Sequence, residues 1–275
     1  MNYPRTCKIG SVEIGSGQLA LIAGPCMAES RALCLDVAGA MTELCNELGI
    51  GYIFKASYDK ANRSSVESYR GPGAEAGLAW LAEVKETFGI PVLSDVHDVS
   101  QVQRAAEVLD VLQIPAFLCR QSDLLVAAGE TGKAVHIKKG QFMAPWDMKQ
   151  AVEKVLSTGN RQVLLCDRGT SFGYNRLISD MRAMPIMRAF APVVFDATHS
   201  TQEPGGLGGS ASGGERQFAP VLAAAATAAG ADALFIETHT DPDHAKSDAA
   251  CQLLLDDMEP LLKKCLALFH ATRAT

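Results

Sequence analysis

Short apolar runs recur along the chain and alternate with longer segments of helical periodicity. Each run is six to eight residues long and almost continuously apolar, which is typical of strands buried on both faces of a parallel sheet. The eight runs are LALIAG, GYIFKAS, PVLSDV, VLQIPA, AVHIKK, QVLLCDRG, PVVFDATH and ALFIETH. Between the first two, Leu33, Val37, Met41, Leu44 and Leu48 keep the spacing of one helix face. Strand and helix therefore alternate from end to end.

This alternation predicts a single α/β domain over residues 1–275, a (β/α)8 TIM barrel. An open doubly wound sheet is the alternative. We favour the barrel because no G-x-G-x-x-G follows the first run and because polar residues stand at the ends of all the runs. The alternating segment at residues 6–16 predicts an N-terminal β-hairpin that closes the bottom of the barrel. STQEPGGLGGSASGGE, after the seventh run, predicts a long glycine-rich loop.

Composition narrows the class of protein. The chain has 275 residues, of which 48% are hydrophobic and 20% charged, with a formal net charge of -6. These values indicate a globular protein without a general attraction for nucleic acid or an anionic membrane. No apolar stretch resembles a signal peptide or a membrane span, so we expect a cytoplasmic protein. The eight cysteines form no C-x-x-C pair, which argues against a disulfide framework or a zinc ribbon.

A basic group of residues stands at the ends of the predicted strands, where a barrel of this type builds its site. Lys55, Lys60, Arg63, Lys138 and Arg168 belong to it. The alternative is that they are solvated surface residues, each paired with a nearby acid. Together, in an acidic protein, they indicate a substrate rich in phosphate or carboxylate oxygens, because arginine makes two-point contacts and lysine supplies a point charge.

A second group at the strand ends consists of Cys26, His199, Glu237 and Asp248. They follow strands one, seven and eight, which become neighbours when a barrel closes. Sulfur, nitrogen and oxygen donors together suit Fe, Zn, Mn or Co better than Mg or Ca. The alternative is that Cys26 and His199 are packed core residues. Asp95 is a candidate either for tuning or orienting His199 or a reacting water molecule, or for a structural cap.

Several stretches together resemble one enzyme family over almost the whole chain: FKASYDKANRSSVESYRGPG, LQIPAFLCRQSDLL, IKKGQFMAPWDM, DRGTSFGYN, FDATHS and ETHTDPDHAKSDA. They resemble 3-deoxy-D-manno-octulosonate 8-phosphate synthase. The resemblance implies a TIM-barrel transferase of lipopolysaccharide biosynthesis, usually a homotetramer, that condenses phosphoenolpyruvate with arabinose 5-phosphate and releases phosphate. A related synthase, which uses erythrose 4-phosphate, typically carries K-P-R-[ST] where this chain has KANRSS. We therefore favour the arabinose 5-phosphate enzyme.

The resemblance also implies roles for individual residues. Those expected to hold phosphoenolpyruvate are Lys55, Ser57, Lys60, Gln113, Lys138 and Arg168. Those expected to hold the aldose phosphate are Asn62, Arg63, Ser64 and Ser212, with Arg120 reaching the site from a neighbouring subunit. Lys138, Arg168 and His199 are the expected catalytic residues. The metal-independent branch of the family carries asparagine where this chain has Cys26, and KSDAACQ also resembles the metal-dependent branch, so Cys26, His199, Glu237 and Asp248 are the expected metal ligands.

Two other classes of function stay open at this point. A Schiff-base aldolase would use Lys55 or Lys138 as a nucleophile. A noncatalytic sensor of sugar phosphates would bind the same ligands without releasing phosphate.

Overall fold

The computed structural model describes residues 2–63, 65–207 and 211–273. Among these residues the chain begins with an antiparallel hairpin and then alternates between strands and helices. The strands are β1 (Cys7–Ile9), β2 (Val12–Ile14), β3 (Ala20–Gly24), β4 (Gly51–Lys55), β5 (Val92–Asp95), β6 (Val111–Ile114), β7 (Ala134–Lys138), β8 (Val163–Asp167), β9 (Thr170–Ser171), β10 (Leu177–Ile178), β11 (Val193–Asp196), β12 (Gln202–Leu207), β13 (Ala211–Gly214), β14 (Ala233–His239) and β15 (Leu253–Leu254). The helices are α1 (Arg31–Leu48), α2 (Gly73–Phe88), α3 (Val99–Val108), α4 (Ser122–Glu130), α5 (Met148–Leu156), α6 (Ala183–Arg188), α7 (Ala219–Ala228) and α8 (Met258–Arg273).

Eight parallel strands of the described chain close into a barrel. They follow the order β3, β4, β5, β6, β7, β8, β11 and β14, and β14 pairs with both β11 and β3. Ala233 is the register partner of Val194 on one side and of Ala20 on the other. The predicted (β/α)8 barrel is thereby confirmed over the open sheet, and all eight predicted strands are present.

The interior of the barrel is apolar at one end and polar at the other. Near the amino-terminal ends of the strands it is apolar, with Ile22, Ile53, Leu164 and Phe235 among its buried residues. The same apolar cluster includes Cys7, Ile9, Val12 and Ile14 of the hairpin. The hairpin therefore closes the bottom of the barrel, as predicted, and leaves the carboxyl ends of the strands open for polar side chains.

Local signals set the ends of the surrounding helices. The Ser30 hydroxyl accepts a hydrogen bond from the Leu33 backbone N–H at 3.1 Å and begins α1. Gly49 ends α1 with a φ of +67°, a left-handed conformation that favours glycine. Asp98 begins α3 in the same way as Ser30, accepting from Ser100 at 2.8 Å. These helices present their apolar faces to the outer surface of the barrel.

The glycine-rich segment after β11 is more ordered than the predicted loop. Its two arms, β12 and β13, pair as an antiparallel ribbon, with Gln202 opposite Gly214 and Glu203 opposite Gly213. The physical reason is that backbone groups in a segment of this length need hydrogen-bond partners, which each arm supplies to the other.

Two further expectations concern disulfide bonds and membrane-spanning helices. All eight cysteines are free and buried, in agreement with the absence of a predicted disulfide framework. No helix in the described ranges has the length and apolar character needed to cross a membrane.

Candidate active site and metal centre

A cavity of about 560 Å³ opens at the carboxyl ends of the barrel strands. This volume lies within the usual range for small-molecule sites. The predicted site residues that line it are Lys55, Lys60, Asn62, Arg63, Gln113, Lys138, Arg168, His199, Ser212 and Asp248. Cys26, Ser57 and Glu237 are fully buried beneath its wall. Ser64 lies outside the described residues.

Four predicted metal ligands come together at one side of the cavity. One donor atom from each of Cys26, His199, Glu237 and Asp248 lies within 4.8 Å of the others. The His199 Nε2 atom is 3.5 Å from Glu237 Oε2 and 3.8 Å from Asp248 Oδ2. Glu237 Oε2 is buried and has no hydrogen-bond partner among the described residues. A buried carboxylate oxygen without a partner, aimed at an imidazole and a thiol, fits a divalent transition metal.

Cys26 directs its thiol at polar groups instead of the apolar core. Its Sγ atom lies 3.1 Å from Ser247 Oγ and 3.3 Å from Asp248 Oδ2, and its backbone N–H donates to Gln252 at 3.0 Å. Burial raises the pKa of the Cys26 thiol well above its usual range, and the Glu237 charge raises it further. The Cys26 side chain is therefore neutral unless a cation lies beside it, and its contacts with polar groups favour the ligand interpretation over a packing role.

Asp196, at the end of β11, contacts both Lys138 and the candidate metal ligand His199. Its Oδ2 atom accepts from Lys138 Nζ at 2.6 Å and lies 2.7 Å from His199 Nδ1. Burial tends to raise the pKa of the Asp196 carboxyl, but His199 and Lys138 lower it well below its usual range. The carboxylate therefore orients the His199 ring so that Nε2 points to the other ligands.

Asp95 does not orient His199. Its carboxylate accepts hydrogen bonds from the Ser57 hydroxyl and from the Gln113 amide. The suggestion that Asp95 orients His199 is wrong, because Asp196 lies three residues before His199 and already occupies its Nδ1 atom.

Lys55 is buried on the cluster side of the cavity floor. Its ammonium group forms an ion pair with Glu237 and donates to the Cys26 carbonyl oxygen at 2.8 Å. Burial tends to raise the pKa of Glu237, but His199 and Lys55 lower it to about 2. Glu237 is thus held as an anion among the candidate ligands.

Comparison with known proteins identifies the family of this chain. The model of the DAHP synthetase I family matches residues 4–272. This chain belongs to the DAHP synthetase I family. A relative from Syntrophotalea carbinolica, named 2-dehydro-3-deoxyphosphooctonate aldolase, is 58% identical over 267 residues, which is 96% of each chain. Proteins of the same name from Geobacter sulfurreducens and Rhodopseudomonas palustris are 55% and 58% identical, covering 96% and 92% of this chain and 97% and 89% of their own.

The resemblance found in the sequence is confirmed by these relatives, since 2-dehydro-3-deoxyphosphooctonate aldolase and the octulosonate synthase are the same enzyme.

In this family member, Gln202 joins Arg168 of the predicted basic group to Asp248 of the candidate metal ligands. Its Oε1 atom accepts from Arg168 and its Nε2 atom donates to Asp248 Oδ1 at 2.7 Å. Gln202 was not predicted as a site residue, because it opens the glycine-rich segment, where neither a strand end nor a periodic pattern marks it. Asp196 lies near the end of the apolar run PVVFDATH, but the sequence does not show that it contacts Lys138 and His199.

Arg63 and Arg120 occupy different positions relative to the cavity. Arg63 lines it and joins two of its loops, donating to the carbonyl oxygens of Tyr69 at 3.1 Å and Lys246 at 2.9 Å. Arg120 is exposed and does not line the cavity of its own chain.

Two charged residues at the strand ends face away from the cavity. Lys139 pairs with Asp167 at 3.3 Å, and it donates to the Gly169 carbonyl oxygen at 3.2 Å and to Thr170 Oγ1 at 3.0 Å. Lys139 follows Lys138 and Asp167 precedes Arg168, and Lys138 and Arg168 line the cavity. Because successive side chains point to opposite faces of a strand, Lys139 and Asp167 point outward. This pair joins the ends of β7 and β8, which carry Lys138 and Arg168.

Proposed function

We propose that this protein condenses phosphoenolpyruvate with arabinose 5-phosphate and water to give 3-deoxy-D-manno-octulosonate 8-phosphate and inorganic phosphate. The observation that carries the proposal is the juxtaposition of a basic cavity wall with a buried cysteine, histidine and two carboxylates. This arrangement occurs in a chain 58% identical to a 2-dehydro-3-deoxyphosphooctonate aldolase. The enzyme of aromatic biosynthesis that uses erythrose 4-phosphate is the related alternative.

Phosphoenolpyruvate carries a phosphate and a carboxylate, and we assign both to the basic wall. Lys138 and Arg168 are buried at its base, while Lys60 and the Gln113 amide stand beside them. Burial alone lowers the pKa of Lys138, but Asp196 raises it above its usual value, so the ammonium group is present at neutral pH. Lys55 and Ser57 support this region from beneath, through Glu237 and Asp95 respectively.

The aldose phosphate belongs to the outer part of the cavity in this proposal. Asn62, Arg63 and Ser212 line that part of the cavity. We assign Ser64 to the same phosphate on the sequence resemblance alone. Arg120 is exposed and outside its own cavity, a position consistent with reaching a neighbouring site in a homotetramer. We propose this assembly, and we propose that the enzyme acts in the cytoplasm without nucleic-acid or membrane partners.

Cys26, His199, Glu237 and Asp248 would hold a divalent transition metal, either Fe, Zn, Mn or Co. When bound, the ion supplies Lewis-acid polarisation to an oxygen atom beside it. The chain provides the rest of this centre. Asp196 holds the proton of His199 at Nδ1 and leaves Nε2 to coordinate, and Lys55 compensates the charge of Glu237.

The reaction joins the enol carbon of phosphoenolpyruvate to the aldehyde carbon, while water adds to the neighbouring carbon and the bond to phosphate breaks. Positive charge develops at the carbon attacked by water, and negative charge grows on the departing phosphate. Lys138 and Arg168 would orient the phosphate and stabilise its charge, because both are fixed before the substrate arrives. Their burial strengthens this effect because bulk water is excluded.

The test measures phosphate release from phosphoenolpyruvate plus arabinose 5-phosphate, before and after removal of metal with a strong chelator. We expect activity to vanish on stripping and to return with Fe(II), Mn(II) or Co(II). Erythrose 4-phosphate serves as the control aldose, and Cys26→Ala as the variant that retains the basic wall but lacks one ligand.

Three outcomes would contradict parts of the proposal separately. Activity with erythrose 4-phosphate alone would overturn the choice of aldose. Full activity after stripping, or in Cys26→Ala, would overturn the metal role and keep the condensation. Inactivation by borohydride in the presence of substrate would indicate a Schiff base on a lysine such as Lys55 or Lys138.

A further inference from the structure

His136 lies inside the barrel, one layer below the cavity, and the proposed chemistry does not use it. It is fully buried on β7, two residues before Lys138 and therefore on the same inward face. Its register partner on β6 is Gln113, and its ring stacks on Phe235 with centroids 6.0 Å apart and planes 17° apart. A buried polar ring in this layer needs a reason, since the surrounding cluster is apolar.

The hydrogen bonds around Gln113 have only one consistent direction. Asp95 accepts from the Ser57 hydroxyl and from Gln113, and Lys60 donates to Ser57 at 3.0 Å. Burial tends to raise the pKa of Asp95, but Lys60 and Lys55 lower it below its usual range, so the carboxylate can only accept. The Gln113 Nε2 atom must therefore face Asp95, which turns the Oε1 atom toward His136.

The orientation of the Gln113 amide determines which ring nitrogen of His136 carries the proton. Its Nδ1 atom lies 2.9 Å from Gln113 Oε1, which can only accept, so Nδ1 must carry a hydrogen and donate it. Burial and the neighbouring Lys138 charge together lower the pKa of His136 to about 3, so the ring is neutral. Nε2 consequently carries no proton, and it contacts no hydrogen-bond partner in the part of the chain that is described.

We propose that His136 is a positioning residue that holds the Gln113 amide with its nitrogen toward the substrate anion. Gln113 lines the cavity, and one N–H of its amide is taken by Asp95. The second N–H is left for a phosphate or carboxylate oxygen. Without the donor at His136, the Gln113 oxygen loses its partner and Asp95 alone holds the amide, so its second N–H is directed less firmly at the anion. The inference rests on the proposed function, because the anion is phosphoenolpyruvate.

Three variants separate this role from simple packing. His136→Phe keeps a ring against Phe235 but removes the donor, and His136→Asn restores an N–H near the position of Nδ1. Leu164→Ala is the matched control, because Leu164 is the register partner of His136 on β8 and lies in the same buried cluster. It removes side-chain volume without removing a polar group.

The expected result is a split between kinetic constants. In His136→Phe the KM for phosphoenolpyruvate rises on the order of tenfold, while kcat and the KM for arabinose 5-phosphate change by less than about twofold. His136→Asn recovers most of the loss, and Leu164→Ala leaves the KM for phosphoenolpyruvate unchanged. In a Gln113→Ala background, His136→Phe has no additional effect, because the group it positions is already absent.

Two readouts do not depend on turnover. Calorimetry of phosphoenolpyruvate binding should show the same loss in His136→Phe. Histidine-selective ¹⁵N NMR of the unaltered protein should show a neutral ring protonated at Nδ1, which tests the inference even if His136→Phe does not fold.

Several results would overturn the inference. They are a proton on Nε2, an unchanged affinity for phosphoenolpyruvate in His136→Phe, an equal loss in Leu164→Ala, or an undiminished effect in the Gln113→Ala background. A protein that binds phosphoenolpyruvate with this dependence on His136 but forms no octulosonate product would refute the proposed function and keep the positioning role.

Discussion

Replacing Asp196 with asparagine tests how the candidate metal centre is organised. The carboxylate accepts from the Lys138 ammonium group, the His199 backbone N–H at 2.9 Å and the Thr198 hydroxyl at 3.3 Å, and it contacts His199 Nδ1. Asparagine has nearly the same shape but only one accepting oxygen. Its NH₂ group would face a donor, either Lys138 or the His199 backbone. We therefore expect both the affinity for metal and the stability of the fold to fall.

The structure sets the size of both effects. Asp196 is fully buried and the Lys138 side chain is 7% exposed, so the substitution leaves a buried ammonium group without its counter-charge. Breaking a buried ion pair in this way costs about 3–5 kcal/mol of unfolding free energy. Loss of the carboxylate that orients a metal-binding imidazole weakens metal affinity by about 10–100-fold.

The assay is a metal titration of the stripped protein in competition with a chromophoric chelator, together with urea unfolding of the same samples. Asp167→Asn is the matched control. It also breaks a buried lysine–aspartate pair at a strand end, but Lys139 faces away from the cavity and keeps its bonds to Gly169 and Thr170. The control should lose stability and keep its metal affinity.

Two results would refute this reasoning. Metal affinity within about twofold of the unaltered protein in Asp196→Asn would show that Asp196 does not orient His199. An equal loss of metal affinity in Asp167→Asn would show that the effect comes from general destabilisation of the strand ends.

Two further predictions concern pH. Burial raises the pKa of Cys26, so metal binding as thiolate should release at least one proton at neutral pH, and affinity should rise about tenfold per pH unit. Weakly buffered titrations measure the protons, and equal release in Cys26→Ala would contradict this origin. Glu237 has its pKa lowered from 4.5 to about 2, so its stabilising contribution is present above pH 4.5 and is lost as pH falls toward 2. Urea unfolding of the metal-free protein should show this decline, and an identical slope in Glu237→Gln would argue against it.

The sequence by itself determined the architecture and the inventory of the site. Near-continuous apolar runs separated by helical patterns indicate a parallel sheet covered by helices, and the polar residues at the ends of all eight runs favoured a closed barrel over an open sheet. The rule that barrel sites lie at the carboxyl ends of strands then identified the basic wall and the four candidate ligands. The fold could be predicted in this way because strand periodicity is a local property of a sequence.

The tertiary structure alone decided which polar groups face one another. Asp95 and Asp196 end comparable strands, yet one holds Ser57 and Gln113 and the other holds Lys138 and His199. Gln202 contacts both Arg168, which lies 34 residues before it, and Asp248, which lies 46 residues after it, and no spacing reveals these contacts. The physical reason is that buried donors and acceptors must be paired, and their pairing depends on the twist and register of a closed sheet, which appear only when distant strands meet.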